Sequence, residues 1–341
     1  MSKFNSVEYY LILQKLKSIN GMEIHIASKI EDYIYELVIT PDKKYRTKYG
    51  NFDGEYIEWY PSKKKKYHYN YINGLLYGKQ LKYYDNESNQ LMYETMYNNN
   101  LKDGEHFEWF INGSLSIHYI FKKGKLHDKQ LEYYDNQSNQ VKSVITYFYG
   151  LKHGEYNEWY KLSYYGDINN FDPIQKCKIN YVFNKKQGKY KEWSNSGNKI
   201  IESNYINGLL HGYLYYYYQN FNNSLHYKQE YKLGKMHGIR YEFLSNKKKY
   251  IVSHYEDGFL NGIYTKFFDD KKILEVFFVN GEINGILTEW FRENTNQLYK
   301  TYFISDNKNL LLNYKEYDIN GNIIIDEPVK KKELKDIVFL I

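Results

Sequence analysis

Aromatic, polar and glycine positions follow one repeating pattern along most of the chain. In residues 205–218 the pattern reads aromatic, two residues, Gly, three residues, Gly, and then a run of strand-forming residues that ends in paired aromatics. The second Gly position recurs at steps of 23 to 34 residues, at Gly54, Gly78, Gly104, Asp128, Gly154, Gly188, Gly212, Gly238, Gly262 and Gly285. A period of this length predicts a repeat architecture.

The two glycine columns predict a turn in each repeat. The first column, four residues before the second, is Gly in eight repeats and Asn in the others, at Asn100 and Asn184. Asn is the residue that best replaces Gly in a left-handed backbone, so this column is predicted to need a positive φ. Asp128, in the second column, tolerates the same region. Structural turn roles are therefore predicted for Gly74, Gly78, Gly150, Gly154, Gly208, Gly212, Gly234, Gly238, Gly258 and Gly262.

Two aromatic columns flank these turns. Five residues after the second Gly position stands an unbroken column that holds all five tryptophans, at Trp59, Tyr83, Trp109, Tyr133, Trp159, Trp193, Tyr217, Phe243, Phe267 and Trp290. Seven residues before that Gly position, every repeat except the first has Tyr or Phe. Rings on both sides of a turn predict a β-hairpin in which they pair across the strands. One repeat is therefore predicted to be one hairpin.

These motifs resemble those of MORN-repeat proteins. The spacing Tyr-x-x-Gly-x-x-x-Gly, with His before the second Gly at His153, His211 and His237, is similar to the MORN variant of bacterial antitoxin-like proteins. The resemblance covers about residues 46–300. It implies an elongated, solenoid-like, twisted antiparallel sheet of about ten hairpins, and a scaffold, membrane-associated, cytoskeleton-associated or antitoxin role. Long arrays rich in Asn, Lys, Ile and Tyr also resemble proteins of large DNA viruses or their protist hosts.

Residues 1–45 are predicted to form an N-terminal cap on the repeat array. Asn5 can cap a helix over residues 5–20, and residues 22–40 are predicted to form two strands that end before Pro41. A cap would cover the exposed edge of the array, whereas a separate recruiting module is the alternative.

The rest of the chain departs from the pattern at two places. The 34-residue step predicts an insertion near residues 161–178, either a tolerated loop or part of a binding face. Residues 301–341 are predicted to be a C-terminal cap and tail, with strands at 298–303, 310–317 and 323–325. The final segment, residues 330–341, is basic and then apolar, which fits a packed cap or a short membrane or partner anchor.

Charge and cysteine content narrow the function classes. The 341-residue chain has 47 basic and 41 acidic residues, and a net charge of +6 is too small by itself to indicate nucleic-acid binding. The single cysteine, Cys177, cannot form an internal disulfide, which fits a reducing compartment. With neither a long apolar stretch nor a secretory signal, the chain is predicted to be intracellular and cytoplasmic, with peripheral membrane association left open.

No catalytic, cofactor or metal site is predicted. Histidines at 127, 153, 211 and 237 share one repeat position, but successive repeats place them about 10 Å apart, too far to ligate one zinc ion. A column of glutamates, which includes Glu58, Glu108 and Glu158, is predicted to be a solvated face opposite the tryptophans. Cys177, predicted to lie in a loop, has no convincing His partner, and the Lys runs at 63–66 and 247–249 are predicted to keep turns soluble.

The resulting hypothesis is a non-enzymatic scaffold for protein–protein interaction, because a large repetitive surface carries no concentrated reactive group. Peripheral binding to an anionic membrane is an alternative, and neutralisation of a toxin is implied by the resemblance. A protein partner is expected, nucleic acid is not, and the oligomeric state is left open. The candidate partner surface consists of the aromatic residues Trp59, Trp109, Trp159, Trp193, Trp290 and Tyr217.

Overall fold

The computed structural model confirms the all-β prediction. It describes residues 35–136, 138–162, 173–219, 223–292, 297–304 and 311–328. These ranges contain 28 strands of one antiparallel sheet and no helix. The predicted helix at 5–20, the first strand of the N-terminal cap and the tail at 330–341 lie outside the described residues. The chain divides into two compact units, Met1–His153 and Gly154–Ile341.

In the first unit the antiparallel strands pair in chain order, and where one arm of a hairpin is broken into two short strands, both of them pair with the preceding strand. The strand bounds are Tyr35–Ile39 (β1), Lys43–Lys48 (β2), Asn51–Trp59 (β3), Lys65–Ile72 (β4), Leu75–Leu76 (β5), Gly78–Tyr83 (β6), Leu91–Asn98 (β7), Leu101–Trp109 (β8), Leu115–Lys122 (β9), Lys125–Leu126 (β10), Asp128–Tyr133 (β11) and Val141–Phe148 (β12). Strand β1 ends before Pro41, as the sequence predicts.

The second unit continues the same antiparallel order. The bounds are Leu151–Trp159 (β13, which begins just before the unit boundary), Gln175–Val182 (β14), Lys185–Trp193 (β15), Lys199–Ile206 (β16), Leu209–Leu210 (β17), Gly212–Tyr217 (β18), Leu225–Lys232 (β19), Lys235–Phe243 (β20), Lys249–Glu256 (β21), Phe259–Leu260 (β22), Gly262–Phe268 (β23), Lys271–Val279 (β24), Glu282–Trp290 (β25), Leu298–Ile304 (β26), Leu311–Tyr317 (β27) and Ile323–Pro328 (β28). Strands β26, β27 and β28 confirm the three strands predicted after the repeats.

Every Gly-bracketed turn is a two-residue hairpin turn with positive φ at both central residues. In the second repeat these residues are Asn73 and Gly74, with φ of 49° and 82°. The same pair of conformations recurs at all ten turns, including Asn100 (φ 63°) and Asn184 (φ 67°). Two positive φ values define a type I′ turn, whose twist matches that of the strands it joins. The predicted positive φ of the first Gly column is confirmed.

The first Gly column also links each hairpin to the one before it. The N–H of Gly124 donates to the carbonyl of Lys102 at 2.7 Å, and the N–H of Gly234 donates to Leu210 at 2.7 Å. A Cβ built on Gly234 would lie 3.4 Å from Leu209 Cδ2 in the preceding turn. A small residue therefore serves two purposes, because it permits the positive φ and lets successive turns approach closely.

Two substitutions of Gly234 test whether the positive φ is the reason that glycine is needed at this turn. We expect Gly234→Val to destabilise the protein by about 2 kcal/mol, because a β-branched residue is strained at a φ of 85°. Gly234→Asn should cost under about 1 kcal/mol, since Asn is tolerated in the left-handed region. Urea unfolding of both variants measures the difference. Equal losses would show that the backbone conformation is not the cause.

The aromatic column near each turn does not pair with the other aromatic column, so that prediction is wrong. Tyr71 lies directly opposite Gly54 of the preceding repeat, and Tyr97 lies opposite Gly78. The arrangement continues through Phe278, which lies opposite Gly262. Thr47, the exception in this column, belongs to the first repeat and has no preceding Gly to cover. The ring covers the backbone that a glycine leaves bare, so the two columns occur together.

Hairpin arms that follow the turn are of two kinds, which alternate except at β13 and β15, where two continuous arms follow each other. Arms such as β8 are continuous, whereas others are broken in two, as at β10 and β11. The buried Gln130 fills the second break, since its side-chain oxygen accepts from Ile120 N–H at 2.9 Å and its amide donates to Ile120 C=O at 3.1 Å. Gln80 bonds Asn70 in the same way at the break between β5 and β6. Each amide replaces the strand pairing that the break removes.

One face of each unit is more buried than the other. In the first unit this inner face is aromatic, and the hydroxyls of Tyr69 and Tyr93 lie 2.5 Å apart. In the second unit it becomes apolar towards the end, where a cluster of buried residues lies on β23 to β26, namely Tyr264, Leu274, Val276, Phe278, Ile283, Leu287 and Ile304.

The predicted insertion is shorter than the sequence indicates. Strand β14 begins at Gln175, so Cys177 lies in a strand and is buried rather than in a loop. Alternation of the apolar residues Cys177 and Ile179 along this strand directs both to the inner face.

Candidate interaction surface

The six aromatic residues predicted to form a partner surface all lie at strand ends. Each is the last residue of its strand, and at each the pairing register with the following strand shifts by one residue. Such shifts are β-bulges, which redirect a strand at its end. All six side chains are half-buried, so the exposed apolar side chains among the described residues lie elsewhere.

The aromatic residue after this column connects neighbouring repeats. The hydroxyl of Tyr60 donates to the carbonyl of Tyr83 at 2.8 Å, and Tyr84 donates to Trp109 at 2.8 Å. Tyr160 and Tyr218 make the same bond to Trp193 and Phe243. These hydroxyls therefore hold one repeat to the next.

The exposed apolar side chains gather at the hairpin tips, which we define as the two turn residues and one residue on either side. In the first unit they include Tyr49, Ile72, Leu75, Leu101 and Tyr149, and in the second unit Val182, Phe183, Leu209, Leu233 and Phe259. Leu233 keeps 56% of its surface exposed and Phe183 keeps 52%. The sequence-based prediction did not include these residues. A bulky side chain at the first central turn position, which holds Asn in other repeats, would have indicated them.

Several tips are both bulky and strained. Tyr49, Tyr149, Phe183 and Leu233 occupy the first central position of their turns with φ between 46° and 49°. Large side chains are uncommon in this region, and strain of this kind concentrates at functional sites. Asn73, Asn99, Asn207 and Asn280 stand at the same turn position and fit it with less strain.

The tips carry a biased charge. Those of the first unit contain Lys48, Lys122, Lys123 and Lys125 and no acidic residue. In the second unit the first three tips contain Lys185, Lys232 and Lys235, again without an acidic residue, whereas the last two contain Glu256, Asp257 and Glu282. Four of the ten tips contain lysine, and in three of these, at Tyr49, Phe183 and Leu233, a partner would meet an apolar group beside an ammonium group.

The glutamate column is less exposed than a solvated face would be. Glu58 accepts from Tyr56 Oη at 2.7 Å and from Lys66 Nζ at 2.7 Å, and its side chain is only 17% exposed. Although burial acts to raise the pKa of Glu58, the bonds from Lys66 and Tyr56 hold it below the ordinary value. Glu158 has the same environment, with Tyr156 and Lys176 as donors. Carboxylates held ionised and paired in this way are poorly suited to transfer protons near neutral pH.

Cysteine and histidine offer no reactive centre in the described part of the chain. Burial, with Glu158 close by, raises the pKa of the Cys177 thiol to about 12, so it stays protonated. His127 has the turn role that its position predicts, because its Nδ1 accepts from Tyr149 N–H at 3.3 Å. Among the described residues no group of three His, Cys, Asp or Glu side chains could hold a metal ion. Nor does any helix in those ranges have the length and apolar character needed to cross a membrane.

Comparison with known proteins adds little to this description. No family model matches the chain, and no curated protein matches it. The chain is similar to TcdB2-TccC3 without its hypervariable C-terminal region, with 10% identity over 86% of this chain and 17% of that one, at a TM-score of 0.17. It is also similar to choline binding protein F from Streptococcus pneumoniae, solved with a peptidoglycan analogue, with 13% identity over 87% and 95% of the two chains and a TM-score of 0.18. The chain spans about a sixth of the first structure's length, and these TM-scores support no argument.

Proposed function

We propose that the protein is a non-enzymatic scaffold of MORN type that binds a partner protein through its hairpin tips. The Tyr-x-x-Gly-x-x-x-Gly motif, exact in five repeats and changed at one or two of its positions in the other five, supports the family, and repeated hairpins of one antiparallel sheet agree with it. One observation carries the function: bulky apolar side chains are held exposed at strained turn positions, at Tyr49, Tyr149, Phe183 and Leu233.

Large residues at these four turn positions cost free energy in the folded state, and burial does not repay it. A side chain in the left-handed region costs roughly 1–2 kcal/mol relative to its preferred conformation. Burial would offset that cost, but more than a third of each of these four side chains remains exposed. Asn at the equivalent turns shows that the hairpin itself does not need a large residue there. Exposed apolar anchors of this kind are typical of binding surfaces.

A tip variant tests the proposal. We expect the triple change Tyr149→Asn, Phe183→Asn and Leu233→Asn to keep the fold and to remove a protein partner captured by the native chain from a lysate, even after a high-salt wash. Asn99→Gly with Asn207→Gly alters the same turn position without removing an apolar anchor, and should leave capture unchanged. If the tip variant retains the partner while Trp109→Ala with Trp159→Ala loses it, the strand-end aromatics form the surface instead.

Peripheral membrane association is a second candidate, favoured by the lysines of the tips. Apolar groups flanked by ammonium groups suit the headgroup region of an anionic bilayer, where each lysine near the surface contributes about 1 kcal/mol. Cosedimentation with phosphatidylserine vesicles should fall in the variant Lys122→Gln with Lys125→Gln, and should fall as salt rises. Binding that is equal on neutral vesicles would contradict this electrostatic attachment.

A further inference from the structure

One column of outer-face positions, exposed in every repeat except at the half-buried Ile239, changes character near the end of the repeats. It lies one residue after the second Gly position, on the outer face of the sheet, opposite the buried Tyr264 and Leu287 side of the strands. In the first six repeats this column is charged and alternates in sign, at Glu55, Lys79, Glu105, Lys129, Glu155 and Lys189. In the last four it is apolar, at Tyr213, Ile239, Ile263 and Ile286.

The change produces a row of exposed apolar side chains across neighbouring strands. Ile263 on β23 pairs directly with Phe277 on β24, and Ile286 occupies the corresponding repeat position on β25. Their exposed fractions are 45%, 44% and 49%. We call Ile263, Phe277 and Ile286 the apolar row.

The strands beneath the apolar row are apolar on both faces. In β24, residues 276–279 read Val-Phe-Phe-Val, with Val276 and Phe278 buried in the inner cluster and Phe277 exposed between them. Strands that are covered on both faces read as continuous apolar runs, whereas strands with one solvated face alternate with polar residues. Earlier outer-face positions carry the charged residues that solvent requires. The composition of β24 therefore indicates a second layer over this part of the sheet.

We propose that this second layer is the apolar row of a second copy of the chain, so that the protein forms a symmetric dimer by packing sheet against sheet. The row reads Ile, Phe, Ile, and is therefore the same in both directions about Phe277. A two-fold axis along β24 brings Phe277 against Phe277 of the second copy and Ile263 against Ile286. Contact between identical patches is what a two-fold dimer requires.

The area of the row agrees with this occupant. The nearest charged residue on the same face of β24, Glu275, pairs with Lys272 at 2.5 Å, and Glu256 and Glu282, which lie opposite Phe259 and Val279, are exposed at the edge of the patch. The row and its neighbours Phe259 and Val279 expose roughly 400 Å² of apolar surface. That area would form the core of a standard interface of about 800 Å² per partner, in which sheets lie about 10 Å apart.

The mass of the full-length protein in solution, measured by light scattering at about 10 μM, tests this dimer. The native chain should have twice the mass of a monomer. Phe277→Asp should weaken the dimer about 100-fold, because two buried charges would face each other. Ile111→Asp, at an exposed apolar residue outside the row, is the matched control and should remain dimeric. Far-UV circular dichroism verifies that each variant is folded.

A cross-linking variant keeps the test independent of any loss of folding. Phe277→Cys places the new thiols of two copies opposite each other across sheets about 10 Å apart, too far for a direct disulfide, so a short bismaleimide that links two thiols should give a covalent dimer. Lys129→Cys, in the charged part of the same column, should not cross-link, and the buried Cys177 does not interfere. A monomeric native chain, a dimer insensitive to Phe277→Asp, or an uncrosslinked Phe277→Cys chain would each overturn the proposal. The tip variant at Tyr149, Phe183 and Leu233 leaves the apolar row unchanged, so loss of the dimer leaves the proposed function standing.

Discussion

Alkali is expected to unfold this protein cooperatively between pH 10 and 12. Burial raises the pKa of Tyr264 from 10.0 to about 12, and burial with a bond to Glu202 raises the pKa of Tyr217 to about 12. Tyr56, Tyr119 and Tyr190 have pKa values raised still further by burial and by their bonds to glutamates. The folded state therefore keeps these tyrosines neutral at a pH where the unfolded chain ionises.

The direction of the effect follows from proton linkage. Below pH 10 tyrosine is neutral in both states, and the stabilisation is fully present. As pH rises from 10 towards 12, the unfolded chain releases protons that the folded chain retains, so the free energy of unfolding falls. For the buried Tyr264 a difference of two pH units corresponds to about 2–3 kcal/mol. The pKa values of Tyr56, Tyr119, Tyr190 and Tyr217 are raised in the same direction, so ionisation of these residues in the unfolded chain adds to this loss of stability as pH rises.

Two signals recorded during one alkaline titration check this prediction. Tyrosinate absorbance and far-UV circular dichroism should change together, because most buried rings ionise only when the sheet unfolds. Tyr264→Phe should move the midpoint to higher pH, while Tyr149→Phe, at an exposed tip, should leave it in place. If absorbance rises fully near pH 10 while the dichroism is unchanged, the rings titrate freely and the burial argument fails.

Gln130→Leu is expected to destabilise the protein by roughly 2–4 kcal/mol, although leucine is similar in size and more hydrophobic. The Gln130 side chain bonds both backbone groups of Ile120 and also donates to the carbonyls of His127 and Asp128 at 2.6 and 3.1 Å. Leucine would leave the N–H of Ile120 without its partner at the break between β10 and β11, whereas the carbonyl of Ile120 keeps its bond from His127 N–H at 2.8 Å. Unpaired buried backbone groups cost more than the extra apolar surface returns.

Chemical denaturation with a matched control measures this cost. Lys129→Leu changes the adjacent residue, which is exposed on the opposite face, and should alter the free energy of unfolding by less than about 0.5 kcal/mol. Gln80→Leu should repeat the loss, since Gln80 bonds Asn70 in the same way. A Gln130→Leu variant as stable as the native chain would mean that backbone pairing or water replaces the amide.

Features within one repeat could be predicted from the sequence. Asn100 and Asn184 as replacements for Gly indicated a left-handed turn, and the turn has that conformation at every repeat. The sequence also predicts strands β26 to β28, which are short apolar runs between turn residues. These features depend on local conformational preference, which a short segment carries by itself.

Features that join one repeat to the next could not be predicted from spacing within a repeat. Tyr71 lies over Gly54 because of the register between hairpins, and the sequence period does not specify that register. Gln130 looks like an ordinary surface residue until the break in the strand places it in the sheet. The aromatic column favours the strand-end tryptophans as a surface, but bulges leave them half-buried. The tips were overlooked because a bulky residue such as Leu233 is unfavourable in a left-handed turn.

The bond from each turn to the preceding one has a direction. The N–H of Gly234 donates backward to Leu210, and that of Gly281 donates backward to Leu260. When a hairpin emerges from the ribosome, the carbonyl that accepts its turn N–H is therefore already in place. The new hairpin completes its turn by docking on the hairpin synthesised just before it. The array can grow during translation in the order of its synthesis, with each finished unit acting as the template for the next.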